Sequence, residues 1–136
     1  MTVVADTSVL VAAFSSWHES HPAASRALGR LDAVVAHCLL ETYSVLTRLP
    51  APHRMAPDIV STYLQATYGR RRVLGLSPDE QRKLVTTCVA QGLAGGAVYD
   101  AMIGATCVRA RATLLTLDVR ARQTYLALGV DHELLA

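Results

Sequence analysis

Apolar residues come in short blocks along the chain, and the blocks have two periods. Val3-Val4-Ala5, Ala33-Val34-Val35-Ala36, Val73-Leu74-Gly75-Leu76 and Thr113-Leu114-Leu115-Thr116-Leu117 are brief continuous runs rich in branched side chains, the pattern of strands buried on both faces. Between them the apolar positions recur every three or four residues, which predicts helices. These helices cover 7–14, Pro22 to about Leu31, about Cys38 to Leu49, Pro57 to Tyr68, Pro78 to about Gly92, 97–110 and 119–128. Punctuation supports the boundaries. Pro50 and Pro52 end the third helix, and Ser77-Pro78-Asp79-Glu80 joins an N-cap serine to a glutamate three residues on, a capping box. Gly129 stops the last helix, and a short strand or tail begins at Val130. Residues 97–110 are apolar or small nearly all round, so that helix is central.

Short strands alternating with helices predict an α/β domain with a parallel sheet. The expected form is a three-layer α/β/α sandwich with a central, mainly parallel sheet of four to five strands. The helices outnumber the crossovers, so some pair with each other in a helical arm. A chain of 136 residues with 51% hydrophobic side chains suits a single domain over 1–136 with one core.

Charge and cysteine content remove several classes. Formal charge is +2 and Lys83 is the only lysine, so basicity alone does not announce a nucleic-acid binder. The three cysteines, Cys38, Cys88 and Cys107, form no Cys-x-x-Cys pair, which speaks against zinc and a disulfide framework and for a reducing compartment. Residues 84–108 carry one formal charge, but Gln91, Gly92, Gly95, Gly96 and the central Asp100 interrupt them, so no membrane span is expected. The expected location is the cytoplasm.

Four of the 11 acids stand out by position. Asp6 and Asp118 each follow a strand directly, Glu41 lies in the first turns of the helix after the second strand, and Asp100 opens the buried helix. Carboxyl ends of parallel strands share one edge, where ligands bind. Each acid also has a plain reading as a helix cap or dipole partner. For Asp100 that reading is weakest, because burying an unpaired acid is costly. Taken together, four carboxylates with no neighbouring lysine call for protonation or a cation. Oxygen donors without cysteine or spaced histidines select Mg²⁺ or Mn²⁺, and such an ion serves phosphodiester hydrolysis. Thr7 or Ser8 is expected to cap the first helix, leaving the Asp6 carboxylate to the ion.

Asp6-Thr7-Ser8 after a strand, Glu41, Gly96-x-x-x-Asp100-Ala101 and Leu115-Thr116-Leu117-Asp118 together resemble the PIN domain, and more narrowly the VapC toxins of type II toxin–antitoxin modules. The resemblance covers essentially the whole chain. It implies an Mg²⁺- or Mn²⁺-dependent endoribonuclease with Asp6, Glu41, Asp100 and Asp118 as the acidic quartet. Asp6 and Asp100 would be the principal metal ligands with Asp118 close by, and Glu41 would orient or deprotonate a metal-bound water. Ser8 and Thr116 match hydroxyl positions that support the site. It also implies an RNA substrate, a homodimer, and a small antitoxin that forms a heterotetramer or larger assembly. Arg120 and Arg122 are candidates for phosphate binding. Arg70-Arg71-Arg72 suits either an RNA backbone or a solvated turn guarding an edge strand. Of the hinge residues, His18 and His21 read first as surface or capping groups, with contact to RNA as the alternative, and Trp17 as packing of the hinge or of a dimer or antitoxin surface. The alternatives are a non-catalytic PIN-like module that holds RNA or protein, a receiver-like phospho-acceptor, for which Lys83 is misplaced, and an aspartyl phosphatase, whose second acid would stand where this chain has Ser8.

Overall fold

A computed structural model describes all residues, 1–136. In chain order the elements are β1 (Thr2–Ala5), α1 (Thr7–Phe14), α2 (His21–Leu28), β2 (Ala33–Val35), α3 (Ala36–Arg48), α4 (Pro57–Tyr68), β3 (Arg72–Leu74), α5 (Pro78–Gln91), α6 (Ala97–Ala110), β4 (Ala112–Thr116), α7 (Ala121–Ala127) and β5 (His132–Leu134). Every strand pair is parallel: β1 with β4, β4 with β5, and β2 with β3. The architecture is the expected α/β/α sandwich.

The five strands do not form one continuous ladder. Hydrogen bonding divides them into a three-stranded sheet, β1-β4-β5, and a two-stranded sheet, β2-β3. The division has a local cause. Asp32 N–H donates to Val3 O at 2.9 Å, as a paired strand would, but the Val3 N–H is taken by the Asp32 carboxylate, also at 2.9 Å. A side chain thus replaces a backbone carbonyl at the seam, and β1 lies between β2 and β4 without full pairing to β2.

Element ends shift by a few residues from those the pattern predicts. Helix α3 springs directly from β2, with Val35 as a cap that makes no side-chain bond, so it starts earlier than Cys38. Helix α2 stops at Leu28, where Gly29 follows. Strand β3 begins at Arg72, which is in register with Ala33, and Gly75-Leu76 belongs to the approach to α5. Strand β5 starts two residues after Val130, with His132 opposite Leu114. The capping box at Ser77 and Glu80 is formed in full.

The main core gathers β1, β2 and β4 with α1, α2, α6 and α7 through residues such as Val4, Leu10, Val34, Ile103, Leu114, Leu115 and Tyr125. Gly104 is required in α6, because a Cβ there would stand 2.9 Å from Val130 Cγ2. A smaller cluster, Leu84, Cys88 and Ala101, joins α5 to α6, one of the helix pairs beyond the crossovers. No helix is long and apolar enough to cross a membrane. All three cysteines are free and buried; burial raises the Cys38 thiol and pushes Cys107 up to about 12, so neither is a ready thiolate.

The arginine run divides. Arg71 donates to Leu31 O, and Arg72 Nη2 donates to Thr2 Oγ1 at 3.1 Å. These two tie β3 to its neighbours, and Arg70 alone stays exposed without a partner.

Candidate functional site

Because all strands run parallel, the carboxyl ends of β1, β2 and β4 face one rim, and β1 sits where the chain's strand order switches direction. Asp6 follows β1 there and is 3% exposed. It is itself the N-cap of α1, which corrects the expectation that Thr7 or Ser8 would be: Asp6 Oδ1 accepts from Ser8 N–H at 3.1 Å and from the Ser8 hydroxyl. Oδ2 accepts from the Thr116 hydroxyl and from Tyr125 OH at 2.8 Å. Four donors therefore surround one buried carboxylate. Burial raises its pKa, and the hydroxyl and backbone donors pull it back.

The two predicted supporting hydroxyls also lace β1 to β4. Ser8 Oγ accepts from Leu117 N–H at 2.9 Å, and Thr116 Oγ1 accepts from Asp118 N–H at 3.0 Å. Asp118 in turn accepts from Arg120 and Ala121 N–H through Oδ1, at 2.9 and 3.2 Å. Its plain role as acceptor for the head of α7 is real, and Oδ2 has no protein partner. Tyr125 escaped the sequence argument. Its signal was an aromatic hydroxyl on the buried side of α7, a group that seeks a partner when buried.

Glu41 projects from α3. Oε1 accepts from the Thr7 hydroxyl, and Oε2 lies 3.8 Å from His37 Nε2, one turn earlier on the helix. That nitrogen is buried without a hydrogen bond. The His37 ring lies parallel to Tyr99, with centroids 5.5 Å apart and planes 2° apart, and Tyr99 precedes Asp100. The tie from Thr7 to Glu41, and the residues His37 and Tyr99, were likewise missed, although the four-residue spacing from His37 to Glu41 was visible.

Asp100 has no hydrogen bond and no salt bridge. Its pKa is pushed up to about 6, first by burial, then by the negative charges of Asp118, Asp6 and Glu41. The four acids thus sense each other. All of them line one cleft of about 660 Å³, which also takes in His18, Glu19, Leu117 and Arg120. Arg120 continues into an adjoining groove shared with Asp100, Asp118, Gly96 and Gln123. Arg122 lines neither; its Nε faces His132 Nε2 at 3.4 Å. His21 is structural, with Nδ1 2.8 Å from Ala12 O.

The donor set is that of a hard divalent ion: four carboxylates, no thiolate at the rim, no lysine or arginine paired with them. No three of the His, Cys, Asp and Glu side chains close around a single point. Mg²⁺ sites in general need no such cluster, since the ion is commonly held by one or two carboxylates and keeps several waters. Asp100 and Asp118 Oδ2 offer free oxygens, whereas Asp6 could meet an ion only in place of one of its hydroxyl donors.

Residues 3–126 match the sequence family described as the PIN domain. The chain belongs to that family. This PIN domain is 49% identical over 132 residues to ribonuclease VapC40 of Mycobacterium tuberculosis, covering 97% of this chain and 98% of that one. Among solved structures its fold resembles Mycobacterium tuberculosis VapC20, a sarcin–ricin loop cleaving toxin, with a TM-score of 0.70 and 19% identity, over 90% of this chain and 94% of the other. It also resembles VapBC2 from Rickettsia felis, bound to a DNA fragment from its promoter, with a TM-score of 0.67 and 17% identity over 98% of each chain.

Proposed function

We propose that this PIN domain is a metal-dependent endoribonuclease and the toxin component of a type II toxin–antitoxin pair. The observation that carries the reading is the convergence of Asp6, Glu41, Asp100 and Asp118 on one cleft with no lysine or arginine ion-paired to any of them. The near-full-length similarity to a protein named as a ribonuclease supports it.

Asp100 and Asp118 would hold Mg²⁺ or Mn²⁺, with Asp6 behind them as the anchored third carboxylate. When bound, such an ion acidifies a water and stabilises charge on the phosphoryl oxygens during in-line displacement. The protein's own residues do the rest. Ser8, Thr116 and Tyr125 fix the Asp6 carboxylate in one orientation. Thr7 holds one oxygen of Glu41, leaving the other to orient the attacking water or take its proton. Arg120 at the cleft wall supplies a planar donor for a phosphate. Water adds at phosphorus, the bond to the leaving ribose oxygen breaks, and that oxygen is protonated.

A small antitoxin partner and a homodimer complete the proposal. Exposed Leu40 and Val73 beside Leu39, Tyr43 and Leu64 give the α3–α4 groove an apolar lining suited to a protein segment. The deciding experiment incubates the pure protein with structured RNA, with Mg²⁺ or Mn²⁺ and with chelator, beside Asp6→Asn and Asp100→Asn. Cleavage should need the metal and vanish in both variants. Cleavage that persists in chelator, or that survives both substitutions, overturns the reading.

A further inference from the structure

Trp17 is the chain's single tryptophan, and it is 48% exposed. It stands in the turn between α1 and α2, yet its ring is not loose. It stacks on His53, from the connection between α3 and α4, with centroids 4.0 Å apart and planes 22° apart. His18 lies beside it, 5.7 Å away and tilted by 40°. Both turns are pinned: His18 N–H donates to Ser15 O at 2.9 Å, Ser20 N–H to His18 Nδ1 at 3.0 Å, and His53 N–H to Pro50 O at 3.0 Å. Since Nδ1 accepts, a neutral His18 carries its proton on Nε2. His18 also lines the carboxylate cleft. Three rings from two distant segments thus form a ledge that runs into the cleft.

A large aromatic face held open to solvent, backed by a second ring, is a stacking platform. Its surroundings argue for a base over a protein face. Within its own turn, Ser16 and Glu19 are exposed and polar, so Trp17 is the one exposed apolar face there. Glu19 also keeps this end of the cleft from attracting phosphate by charge, so its affinity must come from ring faces. Arg54, next to His53, is exposed and uses Nε on Leu49 O at 2.9 Å, with its terminal nitrogens unengaged. A backbone phosphate passing outside the ledge would meet it.

We infer that Trp17, backed by His53 and continued by His18, is a subsite on which an unpaired RNA base stacks beside the carboxylate cleft. The inference rests on the ribonuclease reading and makes the substrate single-stranded or flipped out at this position, since a base inside a duplex has no free face.

Because Trp17 is the only tryptophan, its fluorescence reports the subsite directly. The full chain is titrated in chelator with labelled 2′-O-methyl decamers of A, C or U, following both label anisotropy and tryptophan emission. Quenching should saturate at the concentration where anisotropy does. Trp17→Ala should weaken binding about tenfold, Trp17→Phe should restore most of it, and His53→Ala should fall between; circular dichroism verifies each fold. Binding with unchanged tryptophan emission, or equal affinity in Trp17→Ala, overturns the subsite and leaves the ribonuclease reading standing. Loss of antitoxin binding in Trp17→Ala with RNA binding intact assigns the ledge to a protein and also overturns it. No decamer binding together with no cleavage of structured RNA overturns both.

Discussion

Replacing Asp100 by asparagine should make the metal-free protein more stable while abolishing its activity. The wild-type side chain makes no hydrogen bond that the change would break, and its pKa stands at about 6 against an ordinary 3.8. A raised acid pKa means the folded state prefers the protonated form. The cost of ionising Asp100 is therefore absent below about pH 4, grows as pH rises, and is complete above about pH 6. A shift of about two units corresponds to about 3 kcal/mol before screening, and at a half-exposed site about 1–2 kcal/mol remains. In chelator at pH 7.5, Asp100→Asn should melt about 5 °C above wild type. At pH 4.5, where the wild-type acid is mostly protonated when folded, the gap should shrink. Adding Mg²⁺ should then raise the wild-type midpoint by mass action and leave the variant nearly unmoved. A variant that melts lower than wild type at pH 7.5, or that gains equally at both pH values, refutes the argument that like charge and burial act on Asp100.

Asp6→Ala removes a cap and leaves Ser8, Thr116 and Tyr125 without their buried acceptor, so it should cost about 3–5 kcal/mol in chemical denaturation, while Asp6→Asn should retain much of that stability. Tyr125→Phe deletes one donor at 2.8 Å and should cost about 1–2 kcal/mol by the same measurement. His37→Ala and Thr7→Val loosen Glu41 from its two sides; each should lower kcat about tenfold with KM little changed in a fluorogenic RNA assay. Glu80→Ala removes the carboxylate half of the α5 capping box and the 2.6 Å contact with Arg109, and should lower the melting temperature slightly with RNA cleavage unaffected.

Local pattern carried much of this molecule. The β-branched runs located the strands, and Ser77 with Glu80 announced α5 because both ends of that capping interaction lie within four residues. The four acids could be placed on one rim because parallel strands present like ends together. What stayed hidden depends on contacts between distant segments. Tyr125 reaches Asp6 across 119 positions, and Asp32 interrupts the sheet by competing with a carbonyl of another strand. Neither partner is visible from its own neighbours. Asp6 was ambiguous for a different reason: capping and ligation both ask for a short carboxylate just past a strand, and here one side chain faces both demands. The Arg70-Arg71-Arg72 run was undecidable because its members divide between structural bonds and solvent.

The seat of Asp6 at the head of α1 bears on how this site could decay over generations. A lineage released from selection for cutting RNA could lose Asp100 early, because burial and like charge disfavour its ionised form in the fold. It would keep Asp6 much longer, held by a helix that needs its cap. In a drifting relative, a surviving aspartate after the first strand is therefore poor testimony to activity, and the acid that opens α6 is the one to read.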